Sequence, residues 1–321
     1  MINWGILGFG KMGFTFAHAI KETSNSKLIG IASKSGNTFE NFDNKTYEEL
    51  IDDKKIDAIY ISTLNNTHIG LIKKIIITGK KILCEKPVST SLKELIEINK
   101  LILDHNIYFY EAIAYYSHQQ TTDLLSLINN DEIGEINSIE SNFGYKAKFK
   151  PSSRVFDKLL GGGSIFDLGC YPLSFLMLFA KDPKKIIITS KKLNYAKSGV
   201  DDDAKAVLNY DNKFEAKIHV SIKDNLNNIC IIRGSKGNIK ISEPWKPGTS
   251  STIEVTNNKH FYIKSVNSKL SVFANQIERV SESFLDQSKK FNLFDIEKSL
   301  INMKLMSNWL EEDKSKLNNF F

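Results

Sequence analysis

Apolar and polar positions change rhythm about a third of the way along the chain. In the first third, short apolar runs alternate with stretches of helical period. Trp4–Leu7, Lys27–Ser33, Ala58–Thr63, Lys81–Cys84 and Ile107–Tyr110 read as buried strands. Lys11–Lys21, Thr46–Asp53, His68–Gly79 and Ser91–His105 read as helices between them. Strands alternating with helices at this spacing predict a parallel sheet covered on both faces.

Beyond about His118 the pattern differs. A helix carrying Leu124, Leu125, Leu127 and Ile128 leads into a β-like stretch, Glu135–Ala147, then a glycine run, Gly161–Gly163, and an apolar helix. From Lys185 onward strands dominate. Phe214, Ala216, Ile218, Val220 and Ile222 alternate with Glu215, Lys217, His219 and Ser221, the period of a half-buried antiparallel strand. Phe273–Gln287 and Asp295–Asp313 read as helices. The expected fold is therefore α/β plus α+β. Residues 1–118 are expected to form one domain with a parallel sheet, and residues 119–321 a second with a large, mostly antiparallel open sheet and helices on one face. The polar face of that sheet is expected to be solvated or covered by another subunit, in a homodimer or higher homo-oligomer.

Composition narrows the function classes. A length of 321 residues suits two domains. The apolar run Leu173–Ala180 falls well short of the ~20 residues a bilayer span needs. The apolar run Trp4–Leu7 begins almost at the first Met, with no basic region before it. A cytoplasmic protein with no membrane partner is expected. The formal charge of +6 is lysine-rich and dispersed, without the clustering of a nucleic-acid-binding module. It favours anionic small molecules such as a phosphorylated cofactor. Cys84, Cys170 and Cys230 form no Cys-x-x-Cys pair and are expected as reduced thiols. The six histidines lack metal-ligand spacing, so no metal site is expected.

Three segments carry chemistry. Gly8-Phe9-Gly10-Lys11-Met12-Gly13 fits G-x-G-x-x-G, follows a predicted strand and opens a helix. In that context Gly8 permits the tight turn and Gly10 lets the backbone approach a pyrophosphate at the helix N-terminus. After the second strand, Ala32-Ser33-Lys34-Ser35 lacks the acid that accepts from an NAD ribose. Ser33 and Lys34 would instead donate to a 2′-phosphate, so NADP is favoured, with NAD possible. Glu85-Lys86-Pro87 follows the fourth strand, at the carboxyl edge where such sheets bind ligands. In the glycine-led apolar segment, Asp167 and Tyr171 stand four residues apart and share a face if it is helical. Pro172 complicates that helix, because a mid-helix proline clashes with the carbonyl of Leu168.

Together these segments resemble the glucose–fructose oxidoreductase/inositol dehydrogenase (Gfo/Idh/MocA) family over nearly the whole chain. The resemblance extends through Ile56–Thr63 with Asn65-Asn66-Thr67-His68, Gly79–Pro87, Glu111-Ala112 with His118, Gly161–Pro172, Gly199–Asp203 and Ile232–Gly237. Many members carry His where this chain has Tyr171. Asp-x-Gly-Cys-Tyr is similar to the branch of dimeric dihydrodiol dehydrogenases, aldose 1-dehydrogenases and glucose–fructose oxidoreductase, which commonly uses NADP. Where that branch often has Tyr-Arg-x-His, this chain has Tyr115-Tyr116-Ser117-His118, without the arginine.

The resemblance implies an NAD(P)-dependent oxidoreductase acting on a sugar, polyol or dihydrodiol, with residues 1–118 as a dinucleotide-binding Rossmann domain and residues 119–321 as a substrate-binding and oligomerisation domain. Thr63, Leu64, Asn65, His68, Glu85 and Lys86 would join the glycine loop and Ser33-Lys34 at the cofactor. His68 and His118 are expected to serve structurally. The resemblance also implies that the glycine-hinged helix brings Asp167 and Tyr171 towards Lys86. On this reading Tyr171 is the acid/base, Lys86 lowers its pKa and donates to the substrate hydroxyl, and Asp167 accepts from substrate hydroxyls. Lys86 as the base is the alternative assignment. An NAD-dependent inositol or sugar-nucleotide dehydrogenase, and a nicotinamide-sensing regulator without turnover, are the competing functions; a sensor has no need of Lys86, Asp167 and Tyr171 together.

Overall fold

The computed structural model describes residues 1–258, 260–286 and 288–311. The first sheet has six parallel strands: β1 (Ile2–Leu7), β2 (Ser26–Ala32), β3 (Asn44–Lys45), β4 (Ala58–Ile61), β5 (Lys81–Cys84) and β6 (Phe109–Glu111), in the spatial order β3-β2-β1-β4-β5-β6. Five of its strands are the apolar runs of the sequence, largely buried as a helix-covered parallel sheet requires, and the sixth, β3, is a two-residue polar edge strand that the apolar pattern does not mark. Helices α1 (Lys11–Ala19), α2 (Tyr47–Asp52), α3 (His68–Ile76) and α4 (Leu92–Asp104) connect them. Local chemistry fixes the start of α2: the Thr46 hydroxyl accepts from the Glu49 N–H and the Glu49 carboxylate accepts from the Thr46 N–H. The reversal of strand order between β1 and β4 opens a crevice at their carboxyl ends.

α5 (Gln119–Asn129) leads into the second sheet. Its strands are β7 (Ile136–Gly144), β8 (Ile186–Tyr195), β9 (Asp201–Tyr210), β10 (Phe214–Ser221), β11 (Ile229–Gly234), β12 (Gly237–Ser242), β13 (Ser250–Asn257) and β14 (Phe261–Asn267). They lie in the order β14-β13-β12-β11-β7-β10-β9-β8, antiparallel except for the central β7–β10 pair. The alternation along β10 is realised: Phe214, Ala216, Ile218 and Val220 are buried, while Glu215 and Lys217 are exposed. The polar face carries ion pairs, Arg233–Glu140 at 3.0 Å, Lys240–Glu254 at 3.0 Å and His219–Asp203 at 2.8 Å.

Three features depart from local expectation. The segment after Gly163 is not a uniform α-helix. A π-helical turn, Ile165–Gly169, precedes α6 (Cys170–Met177). Pro172 therefore falls in the first turn of α6, where the missing N–H costs little. Second, Lys158–Met177 is 20 residues long with a mean hydropathy of 1.2, enough by length and composition to cross a bilayer and longer than the apolar run first visible in the sequence. It is 78% buried within the fold, as a core segment. Third, α7 (Val272–Leu285) lies far beyond the boundary expected at 118/119 yet packs on the first sheet. Its Ala274, Ile277, Val280 and Phe284 share a core with Ile2, Trp4 and Phe16, and the Trp4 indole donates to Ser281 Oγ at 3.0 Å. α8 (Ile296–Leu310) returns to the second core through Met303, Met306 and Trp309. Gln287 and residues 312–313 of the expected last two helices lie outside the described residues.

Candidate active site

A single cleft of about 1570 Å³ runs from the glycine loop, across the ends of β1, β4 and β5, to the π turn and the second sheet. At its floor, Gly8 has φ +88°, and a Cβ there would meet the Ser62 backbone at 2.9 Å. A Cβ on Gly13 would come within 2.5 Å of the Gly8 carbonyl, so helix and loop pack through that glycine. Gly10 differs: a Cβ there meets nothing, so its open side faces the cleft. Gly10 caps α1 without any side-chain bond, and no acid stands in the first turn. The free N–H groups and dipole of α1 thus have no anion supplied by the chain, and they fit a pyrophosphate. Phe9, Lys11 and Met12 line the same end.

Ser33, Lys34 and Ser35 line the next part of the cleft. Asn44 clamps the turn, accepting from the Ser33 N–H at 2.7 Å and donating to the Ser33 carbonyl at 2.9 Å. The Ser33 and Ser35 hydroxyls are 2.9 Å apart, and the Lys34 ammonium lies 5.6 Å from the Tyr47 ring centre. The nearby lining carboxylate, Glu48, is bound to Lys74 at 2.8 Å. Thr63, Leu64 and Asn65 line the loop after β4, where the Asn65 amide donates to the Gly161 carbonyl at 3.2 Å. That bond ties the cofactor side to the glycine run.

His68 does not reach the cleft. It is fully buried, with Nδ1 3.1 Å from the Pro87 carbonyl and Nε2 3.3 Å from the Thr63 carbonyl. Burial holds its pKa down to about 4, so the ring is neutral and braces the two loops it touches. His118 is likewise buried and caps α5, its Nδ1 accepting from the Gln120 N–H at 3.1 Å.

The chemistry converges beyond the cis Lys86–Pro87 peptide. Lys86 Nζ donates to the Asp167 carbonyl at 2.6 Å and stands 3.4 Å from Asp167 Oδ1. Its ammonium lies 5.0 Å from the centre of the Tyr171 ring. Asp167 is held from two more sides: Arg154 Nη1 lies 2.9 Å from Oδ1, and the Tyr145 hydroxyl donates to Oδ2 at 2.8 Å. Burial alone would raise the Asp167 pKa, but Lys86, Arg154 and the Tyr145 bond outweigh it and hold it well below the usual carboxylate range. Burial also works against the Lys86 charge, and its anionic surroundings overcome that and raise its pKa.

Tyr171 corrects one expectation. Lys86 acts to lower its pKa, as the sequence suggested, but burial is the larger effect and leaves it raised. Tyr171 is therefore a neutral phenol at pH 7, and Asp167 is the anion that keeps Lys86 charged. The Tyr171 hydroxyl has no hydrogen-bond partner among the described residues, and the ring lines the cleft. Glu85 is buried beneath, accepting from the Tyr60 hydroxyl at 2.5 Å, with its pKa raised by burial.

Sequence reasoning missed Arg154, Tyr145 and Tyr60. Arg154 is one of only three arginines in the chain and lies seven residues before the glycine run, a signal that was readable. The site is therefore not without an arginine despite Tyr116 at the position where relatives carry one. Tyr145 and Tyr60 carry no comparable local mark.

Comparison with known proteins agrees with this architecture. Residues 2–112 match an oxidoreductase family with an NAD-binding Rossmann fold, and residues 122–240 match the GFO/IDH/MocA C-terminal domain. Trans-1,2-dihydrobenzene-1,2-diol dehydrogenase of Xenopus tropicalis is 28% identical over 256 residues, 76% of this chain and 77% of that protein. The mouse (Mus musculus) enzyme of the same name is 28% identical over 77% of this chain and 76% of its own. Among solved structures, the aldose-aldose oxidoreductase from Caulobacter crescentus, complexed with glycerol, superposes with a TM-score of 0.87 at 16% identity, covering 98% of each chain. KijD10, a 3-ketoreductase from Actinomadura kijaniata bound to NADP and TDP-benzene, superposes at 0.85 and 20% identity, over 95% of this chain and 96% of its own. With its glycine loop, its two sheets and these matches over both, the chain belongs to the Gfo/Idh/MocA family of NAD(P)-dependent oxidoreductases.

Proposed function

We propose that the protein prefers NADP and interconverts an alcohol and a carbonyl on a sugar, polyol or dihydrodiol, with Tyr171 as the proton-transferring group. The observation that carries this reading is the unpartnered Tyr171 hydroxyl, on a ring whose centre lies 5.0 Å from the Lys86 ammonium, in the cleft that holds the glycine loop. A bound nicotinamide supplies the hydride chemistry. The glycine loop and α1 hold its phosphates, and Asn65 couples that end to the segment bearing Asp167.

Lys86 spends two contacts on Asp167 and has three N–H donors, which leaves one for the substrate oxygen. Tyr171 donates to the same oxygen as a neutral phenol. Both groups are protonated at pH 7, which serves reduction of a carbonyl directly. In oxidation, Tyr171 would first release its own proton to solvent in the cleft, and Lys86 would stabilise the phenolate that then takes the alcohol proton. Lys86, held as an ammonium by its two contacts with Asp167, is the weaker candidate for the base. Asp167, with its oxygens already engaged, positions Lys86.

Preference for NADP rests on the absence of an unpaired carboxylate at Ser33–Ser35 and the presence of Lys34. The ion-paired polar face of the second sheet supports a homodimer through that face. Titration of tryptophan fluorescence with both cofactors should give tighter binding for NADP; tighter binding of NAD overturns the preference. A panel of aldoses, inositols and dihydrodiols, read by nicotinamide absorbance, should identify turnover. A panel with no turnover and no cofactor binding would overturn the reading.

A further inference from the structure

One cation at the substrate end of the cleft has no role in the arrangement described so far. Lys246 lines the cleft but pairs with no carboxylate among the described residues. The other two cations at this end, Lys86 and Arg154, are both committed to Asp167. Lys246 is also not on a loose loop. Trp245, its neighbour, is 2% exposed, and its indole donates to the Asn142 carbonyl at 3.1 Å. That indole is wedged between Phe175 at 5.5 Å, Tyr115 at 5.8 Å and Phe143 at 5.9 Å, and it lies 6.4 Å from the Tyr171 ring. The chain therefore presents Lys246 from a fixed aromatic anchor next to the proposed proton donor.

The Lys246 side chain is itself exposed to the cleft, and its ammonium lies 5.8 Å from the centre of the Phe143 ring, with the apolar wall on one side and open cleft on the other. Partial desolvation and the fields of Lys86 and Lys11 pull its pKa down, against Asp167 and Glu85. A lysine held among other cations gains most from an anion arriving in the cleft. Glu243, the remaining lining carboxylate at this end, is exposed and is not among the charges that act most on Lys246. A compact ammonium suits a carboxylate or a phosphate equally.

We propose that Lys246 recognises an anionic group, a carboxylate or phosphate, carried by the polyhydroxy substrate. This proposal rests on the placement of the substrate at Lys86 and Tyr171. The test uses the protein saturated with NADPH and reads binding by calorimetry, so it does not depend on turnover. The probes are glucose, glucuronate and glucose 6-phosphate. At least one of the two anions should bind tenfold or more tighter than glucose; which one does so separates carboxylate from phosphate recognition. Lys246→Gln should abolish that tenfold preference, Lys246→Arg should keep most of it, and the NADPH dissociation constant should stay within twofold in both. Three results overturn the proposal: no preference for either anion, including no binding at all; a preference that survives Lys246→Gln; or a tenfold loss of NADPH affinity in Lys246→Gln, which would assign the lysine to the cofactor phosphates. Failure of the oxidoreductase reading would show separately, as absence of NADPH binding or of turnover with every alcohol offered.

Discussion

Three groups on Asp167 set the ionisation of the whole site. The carboxylate sits almost fully buried, where it would ordinarily become neutral, and stays charged because Lys86, Arg154 and Tyr145 each contact it. Removing one partner from a buried charge is costly, so Arg154→Gln should raise the Asp167 pKa. A group depressed in the native protein loses its charge as pH falls, so the acid limb of kcat/KM should move upward in this variant. Rate profiles carried down to about pH 3, towards the range in which a depressed carboxylate titrates, measure that shift, and unchanged acid limbs would remove Arg154 from the electrostatics. Tyr171→Phe deletes the unpartnered hydroxyl while keeping the ring contacts with Phe143 and Trp245. It should reduce kcat by roughly 10²-fold or more, the ordinary contribution of a positioned acid or base, with NADP affinity unchanged. Equal turnover in mutant and wild type would assign the proton to another group.

The element that aims these residues is the π turn, and its anchor lies on a different strand. Asp201, at the start of β9 and 2% exposed, accepts from the Ser164 hydroxyl at 2.7 Å and the Ile165 N–H at 2.8 Å. Gly163, with φ +117°, leaves no room for a Cβ beside the Asp201 carboxylate. Glycine run, Asp201 and π turn thus form one unit that sets where Asp167 and Tyr171 point. Asp201→Ala strands two buried donors at about 1–3 kcal/mol each. It should lower kcat at least tenfold with little change in NADP affinity, and Asp201→Asn, which keeps an acceptor oxygen, should recover part of the loss. A matching fall in cofactor affinity and kcat would point to general unfolding instead.

At the scale of the molecule, buried acids link stability to pH. Glu111, at the end of β6 and 3% exposed, accepts from the Val88 N–H at 3.2 Å, and burial pushes its pKa up to about 7. The native state therefore holds a proton that the unfolded chain has lost, so stability falls as pH rises from about 4.5 through 7. Glu111→Gln should remove that slope, on the order of 3 kcal/mol or slightly more across the window at about 1.4 kcal/mol per unit. Melting temperatures of both proteins at pH 5 and pH 8 test it; parallel changes in the two would refute the assignment. His68 acts in the opposite sense, since its lowered pKa costs stability as pH falls from 6.5 towards 4. The ion-paired face of the second sheet should bury itself in a homodimer, and light scattering at micromolar concentration should give twice the 36.4 kDa chain mass.

Much of this was written in short-range pattern. Unbroken apolar runs specify β1, β4 and β5 because a parallel sheet is buried on both faces, and strict alternation specifies β10 because its sheet is buried on one. The glycine loop, the missing acid after β2 and the segment holding Asp167 and Tyr171 were legible because each is a local motif with a local physical cause. The partners of Asp167 were not legible: Lys86 is 81 residues away and Tyr145 is 22. Nor was the ionisation of Tyr171, where lysine proximity and desolvation oppose one another and only the amount of packed protein around the phenol shows which wins. The packing of α7 on the first sheet and the withdrawal of His68 from the cleft depend likewise on contacts between distant segments. The sequence by itself determined the two sheets, the dinucleotide loop and the family, because hydrophobic period and turn chemistry act between near neighbours. Only the tertiary structure decided which of the site's groups are charged and which are bonded to one another, because desolvation and Coulomb energy depend on distances in space.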